Sequence, residues 1–328
     1  MNSFGQIFKV QIFGESHGSS IGLIIDHCPA GIPISESDFS LDLQRRKSGA
    51  LGTTQRIEND EIKIGSGVFD GHTTGAPICL SFENHNTQSK DYSTIKEQPR
   101  PGHSDFTASK KFSSYNDYRG GGHFSGRLTL ALVAAGVVAK KICSPMLFQA
   151  NIIELGGTDK FDEILKTVIQ EQDSIGGLIR CTIDHVPVGL GEPFFQSIES
   201  HIAQLAFAIP AIKGIDFGSG FAAASMRGSQ HNDPIVNQQG GTVQNNSGGI
   251  NGGLSNGNQI VFRLAVKPTS SIAKTQYSQN LKTNSIEKLE IEGRHDACIA
   301  LRVPVVAEAI AAIALADLVL LHRSRFEF

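Results

Sequence analysis

The chain has 328 residues, 40% of them apolar, enough to bury one large core or two ordinary ones without disulfide or metal staples. A formal net charge of -3 excludes nucleic acid or another bulk polyanion as the partner, while local arginine clusters remain free to hold small anions. Five cysteines (Cys28, Cys79, Cys143, Cys181, Cys298) stand singly with no C-x-x-C pair, which disfavours a disulfide framework or structural zinc and points to the reducing cytoplasm.

No signal peptide is expected, because the first ten residues lack a basic stretch followed by an apolar run. Apolar or alternating patterns predict strands over 7–13 and 21–26. A helix follows over 36–46, with Ser35 as N-cap, Asp38 at the third helical position and Gly49 beyond its end, so that Arg45 and Arg46 fall in its last turn. Strands are predicted at 61–68 and 77–83, helices at 126–143 and 161–171, a strand at 177–183, a helix at 194–207 and a strand at 259–266. The last helix, 303–322, is apolar enough to raise the question of a membrane span, but it carries Glu308 and Asp317 among its alanines and reads as a buried core helix.

Strands and helices do not alternate regularly and no G-x-G-x-x-G follows a strand, which disfavours a doubly wound dinucleotide fold. The helices at 126–143 and 303–322 are apolar nearly all round, and a helix of that kind must be covered on both sides. The expected architecture is therefore an α+β sandwich with sheets covering a helix layer, built as one continuous domain over 1–328.

Three polar clusters stand out against this background. His17 lies in Gly14-Glu15-Ser16-His17-Gly18, His103 in Arg100-Pro101-Gly102-His103-Ser104-Asp105, and Arg294 in Gly293-Arg294-His295-Asp296. A histidine beside glycine is as often a turn residue as a catalyst, but together the clusters offer acids, bases and anion holders, the means to protonate a leaving group and steady its charge. The triple glycine of Tyr118-Arg119-Gly120-Gly121-Gly122-His123-Phe124-Ser125-Gly126-Arg127 runs into a helix start, where backbone amides favour a phosphate, although most such turns bind nothing. A second glycine-rich run, 240–253, precedes the strand leading to Lys267-Pro268-Thr269-Ser270-Ser271, whose ammonium and hydroxyls suit a nucleotide or flavin phosphate. His123, His231 and His295 lack the spacing of metal ligands, and no metal is expected.

These strings, with Gly189-Leu190-Gly191-Glu192-Pro193 and Arg227-Gly228-Ser229-Gln230 between them, closely resemble the chorismate synthase family, in the family's order and over almost the whole chain. The resemblance implies a phosphate lyase that converts 5-enolpyruvylshikimate 3-phosphate to chorismate by anti-1,4 elimination, using reduced FMN without net oxidation. It also implies a β-α-β sandwich with a helix layer between antiparallel sheets, assembled as a homotetramer. NADPH enters only as an indirect reductant, with or without a separate flavin reductase. Carried over by position, His17 matches the histidine that protonates the departing phosphate, His103 the one that protonates the reduced flavin, and Asp296 the aspartate that tunes the flavin. Ser16, Arg46, Arg100, Arg127 and Arg294 match substrate-holding positions. His123, Phe124, Ser125, Pro210, Ala211, Gly252, Lys267, Pro268, Thr269, Ser270, Ser271 and Arg294 match the flavin-contacting ones.

The chain departs from the family pattern in places. His123 and Phe124 stand where an arginine and a serine are usual, the loop from Gly49 to Arg56 is one residue short and lacks an arginine, and the segment 151–173 and the tail after His322 are brief. Two other readings use the same residues. A flavin oxidoreductase would consume NADPH stoichiometrically with product, and a catalytically silent relative with a spoiled flavin pocket would release no phosphate.

Overall fold

Residues 2–54, 59–85, 95–291 and 295–326 are described by the computed structural model, and two apolar helices organise the rest around them. In chain order the first half comprises β1 (Ser3–Phe4), β2 (Lys9–Gly14), β3 (Ser20–Asp26), α1 (Ser40–Arg46), β4 (Ile62–Ser66), β5 (Val68–Phe69), β6 (His72–Thr73), β7 (Ile78–Glu83), α2 (Asp105–Lys111) and α3 (Thr129–Ile142). The second half comprises β8 (Leu147–Leu155), α4 (Phe161–Gln170), β9 (Gly177–Asp184), α5 (Ile198–Ala206), β10 (Ile212–Phe217), α6 (Gly228–His231), β11 (Ile250–Asn251), β12 (Leu254–Ser255), β13 (Ile260–Val266), β14 (Gln276–Asn280), β15 (Ser285–Leu289) and α7 (Val303–Phe326).

α3 and α7 pack against each other in the middle layer, as their all-round apolar sequences require. Their approach is close at Gly136, where a Cβ would lie 2.4 Å from Ala309 Cβ, so only glycine fits at that crossing. An antiparallel sheet in the order β1-β2-β3-β7-β4 covers α3, and a second in the order β10-β13-β9-β8 covers α7. The registers place Ile25 opposite Ile78 and Phe262 opposite Cys181, so buried residues of neighbouring strands share one inward face. One hydrophobic core runs through all three layers. The result is the α+β sandwich expected from the two apolar helices.

The two acids of α7 explain why this helix belongs to a protein core, although it is long and apolar enough to cross a membrane. Glu308, 1% exposed, takes a forked pair of hydrogen bonds from Arg45 at 2.7 and 2.6 Å, another from Lys140 Nζ at 3.1 Å, and one from the Ala150 amide at 2.9 Å. Asp317, equally buried, accepts from the backbone amides of Gln6, Ile7 and Phe8. Each carboxylate ties a sheet to the helix layer, because a buried charge is tolerated only with such partners.

Several boundaries differ from those the sequence predicts. The 36–46 helix divides into a 3-10 turn, Glu36–Phe39, and α1; the Asp38 carboxylate accepts from the Ser35 amide at 2.7 Å, and Arg45 and Arg46 do close α1. The 194–207 helix also divides, because Ser197 is extended (φ −64°, ψ 154°) and caps α5 through its side chain. β8, β10, α2 and the β14-β15 hairpin are additions that the sequence reading does not contain. β8 and the hairpin are largely solvent-facing strands with few buried side chains, so their apolar signal is weak.

Candidate active site

The tip of the β2-β3 hairpin carries Ser16 and His17, both buried. It is held against the triple-glycine turn by two bonds: the Ser16 amide donates to the Gly122 carbonyl at 3.1 Å, and His123 Nδ1 lies 2.8 Å from the Gly14 carbonyl. The turn needs glycine for its conformation, with φ of 58°, 82° and 54° at 120–122. It also needs glycine for space. A Cβ on Gly120 would lie 2.3 Å from His17 Cε1 and Nδ1, while one on Gly121 would lie 3.4 Å from His103 Cε1 and Nε2. The two histidines therefore meet the same turn at adjacent residues.

His103 is fixed from behind. Its Nδ1 is 2.6 Å from Asp105 Oδ1, and Arg100 lies against the ring at 3.1–3.2 Å. Arg100, itself buried, also donates to Asp105 through Nε and Nη2 at 2.8 Å each and to Ser271 Oγ at 3.0 Å. Burial alone would raise the Asp105 carboxyl, but the bonds and charges of Arg100 and His103 outweigh it and hold the group well below the usual carboxylate range.

A cavity of about 210 Å³ opens beside this turn, lined by Ser16, Arg46, Lys47, Asp60, Arg100, Arg127, Asp296 and Arg302 among others. Its charge is predominantly positive. Arg46, 2% exposed at the end of α1, donates to Thr129 Oγ1 at 2.9 Å and the Gly126 carbonyl at 2.8 Å, while its Nη1 is buried with no hydrogen-bond partner among the described residues. Arg127 pairs with Asp60 through Nη1 and donates to Asn84 Oδ1 at 3.2 Å through Nε, and its Nη2 is likewise buried and unbonded. Burial, then repulsion from Arg302 and Arg127, push the Arg46 guanidinium well down from its usual value, and Asp60, 3.9 Å away, offsets this only in part. A buried guanidinium nitrogen without an acceptor is costly, and two of them on one wall suit the cavity to an anion. Asp296 accepts from the Thr54 amide at 2.8 Å and lies 3.5 Å from Arg302 Nη1.

A second cavity of about 450 Å³ adjoins the first and shares Gly120, Ser125, Gly126, Pro210, Thr269 and Ile299 with it. His103, His123, Phe124, Phe207, Ala211 and the whole run Lys267, Pro268, Thr269, Ser270 and Ser271 also line it. Lys267 Nζ is 2.6 Å from the Gly102 carbonyl and 2.9 Å from Ser270 Oγ, and burial lowers its ammonium from the usual value. Thr269 Oγ1 is buried and unbonded at the junction of the two cavities.

Of the residues singled out from sequence, Ser16, Arg46, Arg100, Arg127 and Asp296 line the first cavity. His103, His123, Phe124, Ser125, Pro210, Ala211 and Lys267 to Ser271 line the second, while His17 lines neither and packs on the glycine turn at Gly120. Arg294 with Gly293, and Gln55 and Arg56 of the short loop, lie outside the described residues. Gly252 is at the tip of the β11-β12 hairpin and lines neither cavity within one chain. His123 is turned to its neighbours, with Nδ1 on Gly14 and Nε2 3.2 Å from the Asn2 side chain. Asp60 and Arg302, which line the first cavity, and Asn84, which accepts from Arg127, are not among the residues the sequence singles out, since none has a glycine beside it, and His85, the neighbour of Asn84, has none either.

Helices sandwiched between antiparallel sheets, with two adjoining cavities, one cationic and one lined by lysine and hydroxyls, are the features of an enzyme that acts on a small molecule. The sequence profile described as chorismate synthase matches residues 8–320. The chorismate synthase of Chitinophaga pinensis is 57% identical over 324 residues, covering 98% of both chains, and that of Methanocaldococcus jannaschii is 40% identical over 98% of this chain and 96% of its own. A crystal structure of chorismate synthase superposes with a TM-score of 0.73 at 26% identity, covering 96% of this chain and 92% of the other. The chain belongs to the chorismate synthase family; it is a lyase whose activity is the formation of chorismate in the shikimate pathway.

Proposed function

We propose that the chain converts 5-enolpyruvylshikimate 3-phosphate to chorismate and phosphate by anti-1,4 elimination with reduced FMN. The observation that carries this reading is the pair of buried, unbonded guanidinium nitrogens of Arg46 and Arg127 in a cavity that opens onto the Lys267–Ser271 cavity at Thr269. A substrate with one phosphate and two carboxylates answers the first feature, and a flavin phosphate the second.

The residues present fit FMN. Lys267 and the hydroxyls of Thr269, Ser270 and Ser271 form a donor set for its phosphate, and Phe124, Phe207, Pro210 and Ile299 give apolar walls for a ring. Reduced FMN, when bound, supplies the electron chemistry of the elimination and ends the cycle still reduced. Arg46 and Arg127 bind and orient the substrate anion, and Arg302 adds a further cation to the same wall. His17 donates a proton to the departing phosphate oxygen, and the Gly120 contact fixes its ring for that transfer. His103 holds a proton at the edge of the second cavity, with Asp105 fixing its orientation through Nδ1. Asp296, anchored by the Thr54 amide, places a carboxylate on the wall of the first cavity.

The finer reading includes a single domain, a homotetramer, a cytoplasmic location consistent with five unpaired cysteines, and NADPH acting only as an indirect reductant, with or without a separate flavin reductase. The deciding experiment is an anaerobic assay of phosphate release with chemically reduced FMN. Release that requires the reduced flavin and consumes no stoichiometric NADPH is expected; release with oxidised FMN, or NADPH consumed in step with product, overturns the proposal.

A further inference from the structure

Asn84 follows directly on β7. Its side-chain amide touches both halves of the acid-and-anion machinery. Oδ1 accepts from Arg127 Nε at 3.2 Å, while Nδ2 donates to the Glu15 carbonyl at 3.1 Å and the Gly18 carbonyl at 3.0 Å, the two residues that bracket Ser16 and His17. Arginine can only donate and carbonyls can only accept, so the partners on each side fix the orientation of the amide. The Asn84 backbone amide adds a bond to the Ser19 carbonyl at 3.0 Å, which immobilises the residue that carries the linkage. The hairpin tip closes on itself through Gly18 N and the Glu15 carbonyl at 3.1 Å, leaving Nδ2 as the side-chain donor that spans it.

We propose that Asn84 is a positioning residue that sets His17 and Arg127 in register, so that the proton donor and the cation that grips the substrate anion hold a fixed separation. This rests on the function proposed above. A few ångströms separate a productive proton transfer from none, and a slack hairpin tip would lose that alignment while leaving anion binding largely intact. The linkage lies on residues distant in sequence, 84, 127 and 15–18, and depends on β3 and β7 being neighbours in the first sheet.

Substitution separates the two arms. Asn84→Asp keeps an acceptor for Arg127 but has no donor for the hairpin carbonyls, so kcat for phosphate release should fall by about 10²-fold while KM stays within about threefold. Asn84→Ala removes both arms, and KM should rise by about tenfold in addition. Because the loss acts through His17, combining either change with His17→Ala should slow the enzyme by no more than about twofold beyond His17→Ala alone. A wild-type kcat in N84D, or a loss that multiplies with that of H17A, overturns the proposal. If thermal melting shows that N84D does not fold, N84A is judged by its kcat and by the same double substitution with H17A. Should the wild-type protein release no phosphate at all, the functional reading fails. The linkage is then read from the His17 ring resonance, identified by its absence in H17A: a shift in N84D or N84A supports the linkage, and an unmoved signal overturns it.

Discussion

Replacing Gly120 with alanine tests whether the glycine turn is what aims His17. Two costs arise. Alanine at φ 58° and ψ 21° lies in the left-handed region, which costs about 1–2 kcal/mol. The added Cβ would also lie 2.3 Å from two atoms of the His17 ring and 2.9 Å from Ser16 Oγ, so the ring must withdraw by about 1 Å to reach ordinary contact. His17 is only 7% exposed and cannot simply swing into solvent, so the overpacking adds about 1–3 kcal/mol and the displacement lowers turnover by about 10²-fold. Gly121→Ala is the control, for it carries a comparable backbone cost at φ 82° but its Cβ meets His103 at an unstrained 3.4 Å. Anaerobic phosphate release with chemically reduced FMN, paired with thermal denaturation, separates the two costs. The expected pattern is a shared loss of stability and a much larger loss of turnover in G120A. Equal turnover in the two variants would refute the argument that the contact positions the ring.

The remaining expectations address charge. Asp105→Asn removes the carboxylate shared by His103 and Arg100, and should destabilise the fold by about 3 kcal/mol in urea titrations near neutral pH. The sign follows from the depressed Asp105 value: the unfolded chain binds the proton first, so this stabilisation is complete above about pH 4 and is lost as pH falls towards the folded value. D105N should therefore show a shallower acid limb than the wild type, and an unchanged limb would contradict the assignment. Arg127→Gln should raise KM for the substrate by about 10- to 100-fold, measured at fixed salt, because one charge-assisted contact to the anion is lost. Glu308→Ala removes the carboxylate that Arg45 and Lys140 share and the acceptor of the Ala150 amide, while Asp42 still pairs with both cations, so it should cost about 1–3 kcal/mol by urea titration, with less than a threefold change in turnover per folded molecule.

Much of the architecture is written locally. The middle layer is legible because Thr129–Ile142 and Val303–Phe326 carry apolar residues on every face, and only a layer covered on both sides can bury them. The strands of the first sheet that run through its centre, Ser20–Asp26 and Ile78–Glu83, declare themselves by branched aliphatic runs, whereas Leu147–Leu155 shows a mixed surface and passes for a connection. The histidine loops were legible for a different reason: glycine beside a titratable ring is a local signal. Asp60, Asn84 and Arg302 carry no such signal, being common polar residues whose importance comes from what faces them.

By itself, then, the chain determined its layers, its cationic character at 45–46 and 127, and the candidates for acid and anion contacts. Tertiary structure alone decided that Gly120 meets His17 while Gly121 meets His103, that Arg46 and Arg127 each keep a nitrogen unbonded, and that one amide at position 84 spans two loops. The physical reason is range. Periodicity and turn chemistry act over a few residues and can be read along the chain, but hydrogen bonds and charge pairs between segments 43 to 311 positions apart exist only after the sheets have brought them within about 3 Å.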